Sequence, residues 1–130
     1  MDNSKLENSL FSSIVANTPL LSIDLVIRNE LDQVLLGKRL NRPARGYWFV
    51  PGGRILKGET MVDAFSRLTQ VELGQEITIA DSDFLGVYEH FYADNFSGTD
   101  FPTYYVVLAY QLKMDLSDFR LPKNQHESYR

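Results

Sequence analysis

Apolar positions along the chain follow two rhythms, and the switches between them mark the elements. Leu6, Leu10, Ile14 and Val15 recur at helical spacing, which predicts an amphipathic helix over about residues 4–16, ending before Thr18-Pro19. Residues 20–27 and 34–38 are instead rich in branched apolar side chains. The polar stretch Arg28-Asn29-Glu30-Leu31-Asp32-Gln33 between them has the make-up of a turn, so the two runs are expected to pair as a hairpin. Residues 41–46 carry the breakers of a loop, Trp48-Phe49-Val50 reads as a short strand, and Pro51-Gly52-Gly53 as another turn. From about residue 60 to 73 the helical rhythm returns: Met61, Ala64, Phe65, Leu68, Val71 and the aliphatic part of Thr69 make a broad face, and Gly74 supplies the stop. Two long strands are expected near 84–92 and 103–113, joined through Asp94-Asn95-Phe96-Ser97-Gly98, with a polar tail from 115 to 130. No internal repeat is visible.

Composition narrows this to one globular domain spanning residues 1–130. With 130 residues, 44% apolar and 23% charged, the chain can bury a core and is too apolar to stay disordered. The absence of Cys excludes disulfides, thiolate zinc sites and a Cys nucleophile, and is compatible with a reducing compartment. The apolar run 104–110 falls far short of the roughly 20 residues of a spanning helix, and no charged segment followed by an apolar one opens the chain. A cytoplasmic protein without membrane contact is therefore expected.

A net charge of −4 argues against general nucleic-acid binding. Its distribution is more informative than its size. Lys38, Arg39, Arg42, Arg45, Arg54 and Lys57 lie between Gly37 and Gly58 with no acid among them, whereas residues 59–100 hold nine acids and one base, Arg67. An anion site beside a cation site has this pattern, and so does a solvated loop followed by an acidic surface.

Within that acidic half the spacing is specific. Gly53, five residues, Glu59, seven residues, Arg67, then Glu72 and Gly74 resemble the Nudix box. In that box a Gly-rich turn exposes carbonyls while the following helix presents carboxylates on one face, a set of hard oxygen donors for Mg2+ or Mn2+ on a diphosphate. Where the common box has two further acids this chain has Leu68 and Val71, leaving Glu72. So few anionic ligands do not offset the mutual repulsion of several cations, and one metal or none is expected.

The altered box Arg67-Leu68-Thr69-Gln70-Val71-Glu72-Leu73-Gly74 is similar to that of the GDP-mannose mannosyl hydrolase branch. So are Gly37-Lys38-Arg39, Asn41-Arg42-Pro43, the run from Gly46 through Trp48 and Gly53 to Arg54, His90-Phe91-Tyr92, the run from Asp94 through Gly98 to Phe101, Tyr105-Val106-Val107-Leu108 and Gln125-His126. The resemblance implies an α/β fold, an α/β/α sandwich around a mixed sheet, and a homodimer. It also implies Mg2+-dependent hydrolysis of GDP-mannose, with GDP-glucose left open, at the anomeric carbon to GDP and free sugar.

By the same resemblance one Mg2+, or Mn2+, is held by the Gly52 carbonyl, the Glu72 carboxylate and the Gln125 amide oxygen. Arg39 and Arg54 contact the diphosphate, Tyr105 hydrogen-bonds a phosphate, His126 is the general base, and Asp24 and His90 lie on the sugar side. Glu59 and Arg67 brace the loop and helix. Tyr88, Phe91, Tyr92, Phe96, Phe101 and Tyr104 are candidates to stack guanine, most of them expected in the core. Relatives continue past the His-containing loop into a further helix, which is expected to be absent here. Two other readings stay open: a conventional pyrophosphohydrolase cutting at phosphorus, and a non-catalytic nucleotide-sugar binding module.

Overall fold

A computed structural model describes residues 7–38, 48–98, 101–115 and 128–129. The described elements are α1 (Asn8–Asn17), β1 (Leu20–Arg28), β2 (Leu35–Lys38), β3 (Trp48–Phe49), β4 (Gly52–Arg54), α2 (Met61–Leu73), a 3-10 turn (Ile79–Asp81), β5 (Asp83–Tyr92), β6 (Thr103–Lys113) and β7 (Ser128–Tyr129). A four-stranded sheet has the order β4-β1-β6-β5, and a three-stranded one the order β3-β2-β7. In the larger sheet β1 runs parallel to β6 and antiparallel to β4, and β5 runs antiparallel to β6. The mixed sheet expected of the α/β class is present.

Alternation along β1 divides its side chains between two environments. Ile23, Leu25 and Ile27 are fully buried and join Tyr110 and Leu112 of β6 and Ala64, Phe65, Leu68 and Leu73 of α2 in one apolar core. Ser22, Asp24 and Val26 point to the opposite face. α2 is set by its ends: the Thr60 hydroxyl accepts from the Asp63 N–H at 3.1 Å, and Gly74 closes the helix in the left-handed conformation, its N–H donating to Gln70.

Three expectations are corrected. β1 and β2 do not form a hairpin ladder; an isolated bridge between Arg28 and Val34 joins them, and they then enter different sheets. Both edges of β1 are already taken, by β4 and β6. Pro51-Gly52-Gly53 is not simply a turn, because Gly52 and Gly53 begin β4 opposite Asp24 and Ile23. Glycine is required for that approach, since a Cβ at Gly52 would overlap the Ile23 carbonyl oxygen. Finally, the buried face of α2 is rotated from the expected one: Val71 and Met61 are exposed, and Glu72 and Leu73 are buried.

The aromatics also depart from expectation. Tyr88 and Phe91 are exposed, and Phe91 stacks on Tyr104 with centroids 4.3 Å apart. Edge strand β5 thus carries Phe84, Leu85, Val87 and Phe91 toward solvent. Among the described residues no helix is long and apolar enough to cross a membrane.

Candidate functional site

The register of the larger sheet brings four of the expected residues onto one face, one from each strand. Asp24 of β1 pairs with Ala109, and Arg54 of β4 pairs with Ser22, two residues from Asp24. Tyr105 of β6 pairs with Leu20 on one side and with His90 of β5 on the other. Paired residues share a face, as do residues two apart, so Asp24, Arg54, Tyr105 and His90 all project away from α2.

Asp24 is the most perturbed of these. Burial pushes its pKa from 3.8 up to about 6, and the charge of His90 partly counters that rise. Among the described residues no donor is hydrogen-bonded to its carboxylate. A desolvated carboxyl with no satisfying partner is costly to the fold and marks a place where a ligand is expected. His90 Nδ1 lies 3.3 Å from the Tyr92 hydroxyl. Tyr92 in turn packs on Tyr105 and Phe49, with centroids 6.2 Å and 5.9 Å away, so an aromatic wall runs beside the polar group.

Two arginines flank β4 and are held differently. Arg67 of α2 donates to both Glu59 oxygens, at 2.7 Å and 3.0 Å, and to the Arg54 carbonyl at 2.7 Å. Glu59 also accepts from the Leu56 N–H at 3.0 Å, and the Arg67 hydrogen bond holds its pKa below the usual carboxylate range. This brace ties the loop to the helix, as expected. The Arg54 side chain, by contrast, is paired with no carboxylate or hydrogen-bond acceptor among the described residues, and its guanidinium lies 4.4 Å above the Phe11 ring of α1. Burial lowers its pKa, the Tyr105 hydroxyl raises it, and the neighbouring Arg67 lowers it further.

The edge of β4 offers metal-type donors. Leu25 donates to the Pro51 carbonyl at 2.8 Å and Ile55 to the Leu21 carbonyl at 2.9 Å. Antiparallel alternation therefore turns the carbonyls of Gly52 and Arg54 outward, away from β1. Arg67 occupies that of Arg54, whereas that of Gly52 has no partner among the described residues. Gly53 faces α2, where a Cβ would come within 2.7 Å of the Leu68 side chain. Leu68 is therefore part of the packing between strand and helix, and Glu72 follows one turn later as a buried carboxylate. An outward carbonyl and a buried carboxylate are hard oxygen donors that suit Mg2+ or Mn2+. Among the described residues no group of three or more His, Asp or Glu gathers into a cluster that could hold a metal ion.

Arg39, Gln125 and His126 lie outside the described residues. Conversely, the structure adds Phe11 and Phe49 to the neighbourhood and sets Phe96, one of the guanine-stacking candidates, against Phe11. The signal for Phe11 was available: it stands three and four residues before Ile14 and Val15, on the stripe that defines α1.

Comparison with known proteins agrees with the fold and extends it. The NUDIX domain model matches residues 18–130. Agl8 of Haloferax volcanii, a low-salt glycan biosynthesis protein, is 46% identical over 112 residues, which cover 85% of this chain and 69% of that protein. The MutT NUDIX hydrolase from Burkholderia pseudomallei is similar in structure at a TM-score of 0.66 and 25% identity, over 88% of this chain and 82% of that one. The NUDIX domain of Shewanella oneidensis NrtR, solved with ADP ribose, is similar at a TM-score of 0.60 and 19% identity, over 98% and 77% of the respective chains, a likeness of fold.

Proposed function

The chain belongs to the Nudix family of hydrolases, and from that premise we propose that it hydrolyses GDP-mannose at the anomeric carbon, releasing GDP and free mannose. The observation that carries this reading is the depleted helix. Leu68 is committed to the core beside Gly53 and Val71 is apolar, so of the three helix positions of the box that hold acids in common relatives only Glu72 is one here. A single carboxylate fits one cation on a leaving diphosphate better than a cluster of cations around an attacked phosphorus. The glycan-biosynthesis name of the Haloferax relative is in keeping with a sugar-nucleotide substrate.

In this reading Gly52, Glu72 and Gln125 hold Mg2+, which supplies charge neutralisation on the departing diphosphate. Arg54 and Arg39 bind the diphosphate through their planar donors, and Tyr105 donates to a phosphate oxygen. Asp24, ionised above about pH 6, sets a negative charge beside the anomeric carbon as positive charge develops there, with His90 at its side. Water adds its oxygen to that carbon, His126 takes the proton, and the carbon–oxygen bond to GDP breaks with the electron pair leaving on GDP. Attack opposite the leaving group inverts the anomeric centre. The same reading has the protein working in the cytoplasm as a homodimer, for which the exposed apolar residues of β5 offer surface.

Product analysis decides the matter. Phosphorus NMR of GDP-mannose treated with the protein and Mg2+ is expected to show GDP alone, with the oxygen of labelled water recovered in mannose. GMP and mannose 1-phosphate would instead assign a conventional pyrophosphohydrolase, and binding without turnover a non-catalytic module.

A further inference from the structure

Arg54 raises a problem of design. An arginine that binds an anionic ligand must be held in place, yet the usual way of holding one, a carboxylate partner, consumes its donors and cancels its charge. Arg67 shows that outcome eight residues from Glu59, with its guanidinium donating to the carboxylate and to a carbonyl. Arg54 is held by a ring instead. Its guanidinium carbon lies 4.4 Å from the centroid of Phe11, a contact that favours the cation while leaving the in-plane N–H donors unspent.

Phe11 is itself supported. Its ring lies 4.8 Å from that of Phe96, and Phe96 sits in a loop with little freedom. Asn95, fully buried, accepts from the Ser97 N–H at 2.8 Å and from its hydroxyl at 2.7 Å, and donates to the Phe101 carbonyl at 2.9 Å. Thr103 donates to the Asp94 carbonyl at 2.7 Å, tying the same loop to β6. Val15, buried at 5% exposure, anchors α1 one helical turn further on. The loop thus holds Phe96, Phe96 backs Phe11, and Phe11 holds Arg54. Phe11 also lies outside the stretch 18–130 matched by the family model.

We propose that Phe11, backed by Phe96, is a positioning residue that fixes the Arg54 guanidinium on the site face with its charge and donors free for the diphosphate. The proposal rests on the function argued above only in naming that ligand.

The test uses Phe11→Leu, which keeps apolar bulk but removes the ring, and Phe11→Trp, which restores one. In the ligand-free protein, the Arg54 Nε–Hε signal in nitrogen-15 spectra, assigned with Arg54→Ala, is expected to lose its ring-current shift and become mobile in Phe11→Leu. It should recover in Phe11→Trp. The dissociation constant for GDP with Mg2+ is expected to rise about fivefold in Phe11→Leu and to recover in Phe11→Trp. With Arg54 already replaced by Ala, Phe11→Leu should add no further loss. An Arg54 signal that stays ordered in Phe11→Leu, or a loss of GDP affinity that persists without Arg54, overturns the positioning role while leaving the proposed function untouched. A mobile Arg54 in Phe11→Leu combined with an Arg54→Ala variant that binds GDP as well as the parent overturns the assignment of the diphosphate to Arg54.

Discussion

The two faces of the larger sheet are built from alternate residues of the same strands and obey opposite rules. Toward α2, Ile23, Leu25 and Ile27 of β1 meet Phe65, Leu68 and Leu73 with no exposure to speak of. On the other side, one residue away along the same strand, Asp24 is desolvated without a hydrogen bond among the described residues, and Arg54 of β4 rests on a ring instead of a carboxylate. The first face gains stability from every contact. The second retains groups that no hydrogen-bond partner satisfies among the described residues, a cost that fits a face built to bind. The contrast predicts that substitutions on the two faces move stability in opposite directions.

The largest effect belongs to the packed face. Phe65 is fully buried and meets Tyr110 edge-on with centroids 5.6 Å apart. Phe65→Ala removes that contact and leaves a cavity among Ile23, Leu25 and Leu73, so a loss of about 3–5 kcal/mol in unfolding free energy by urea denaturation is expected. A loss below about 1 kcal/mol would mean that α2 is not the lid of the core.

The site face should respond with the opposite sign. Asp24 has a pKa raised from 3.8 to about 6. Between those values the folded protein holds a proton that the unfolded chain has released. Its contribution to stability is therefore most favourable below about pH 4, falls as pH rises to about 6, and stays low above that. The difference corresponds to about 3 kcal/mol. Asp24→Asn is expected to abolish this slope, so in EDTA the variant gains on the parent as pH rises from 4 to 7. Comparing the two proteins by urea denaturation at each pH cancels the titration of the other carboxylates. Turnover of GDP-mannose by the same variant should fall, and a gain in stability joined to a loss of activity is what the contrast between the faces requires.

The packed face was the more readable from sequence, because burial leaves a periodicity. The limits of β6 fall at 103 and 113 as the pattern indicates, and those of α2 within a residue. Pairing left no such trace. A polar turn between two apolar runs implies a hairpin only if nothing else competes for the strand edges, and β4 and β6 take both edges of β1. β4 itself was hidden because Pro51-Gly52-Gly53 has the composition of a turn while Gly52 serves a close backbone approach. On the site face Asp24 stood out as a carboxylate in an apolar strand. The support of Arg54 by Phe11 did not, since it depends on α1 meeting a loop some 85 residues further along. The box spacing located Glu59 and Arg67 well, because Glu59 stands just before the Thr60 cap and Arg67 lies about two helical turns beyond it.

That brace gives the smallest effect and the sharpest boundary between the two regimes. Glu59 and Arg67 are both charged, as a functional pair would be, yet each is satisfied by the other and by backbone: Glu59 by the Leu56 N–H, Arg67 by the Arg54 carbonyl. Arg67 therefore has its donors committed, where those of Arg54 meet no acceptor among the described residues. Glu59→Gln keeps an acceptor for Leu56 and for one guanidinium N–H but loses the charge, and about 1–2 kcal/mol of stability should go with it. Because the folded-state pKa of Glu59 is depressed by Arg67, its contribution is present above the unfolded value and is lost as pH falls through the lower folded one. The stability gap between parent and variant should therefore close in acid and open in the parent's favour as pH rises, whereas the Asp24 gap opens in the variant's favour. A Glu59→Gln variant that gained on the parent as pH rose would mean that Glu59, like Asp24, is desolvated without compensation, and the division between braced and unsatisfied charges would no longer follow the two sides of β4.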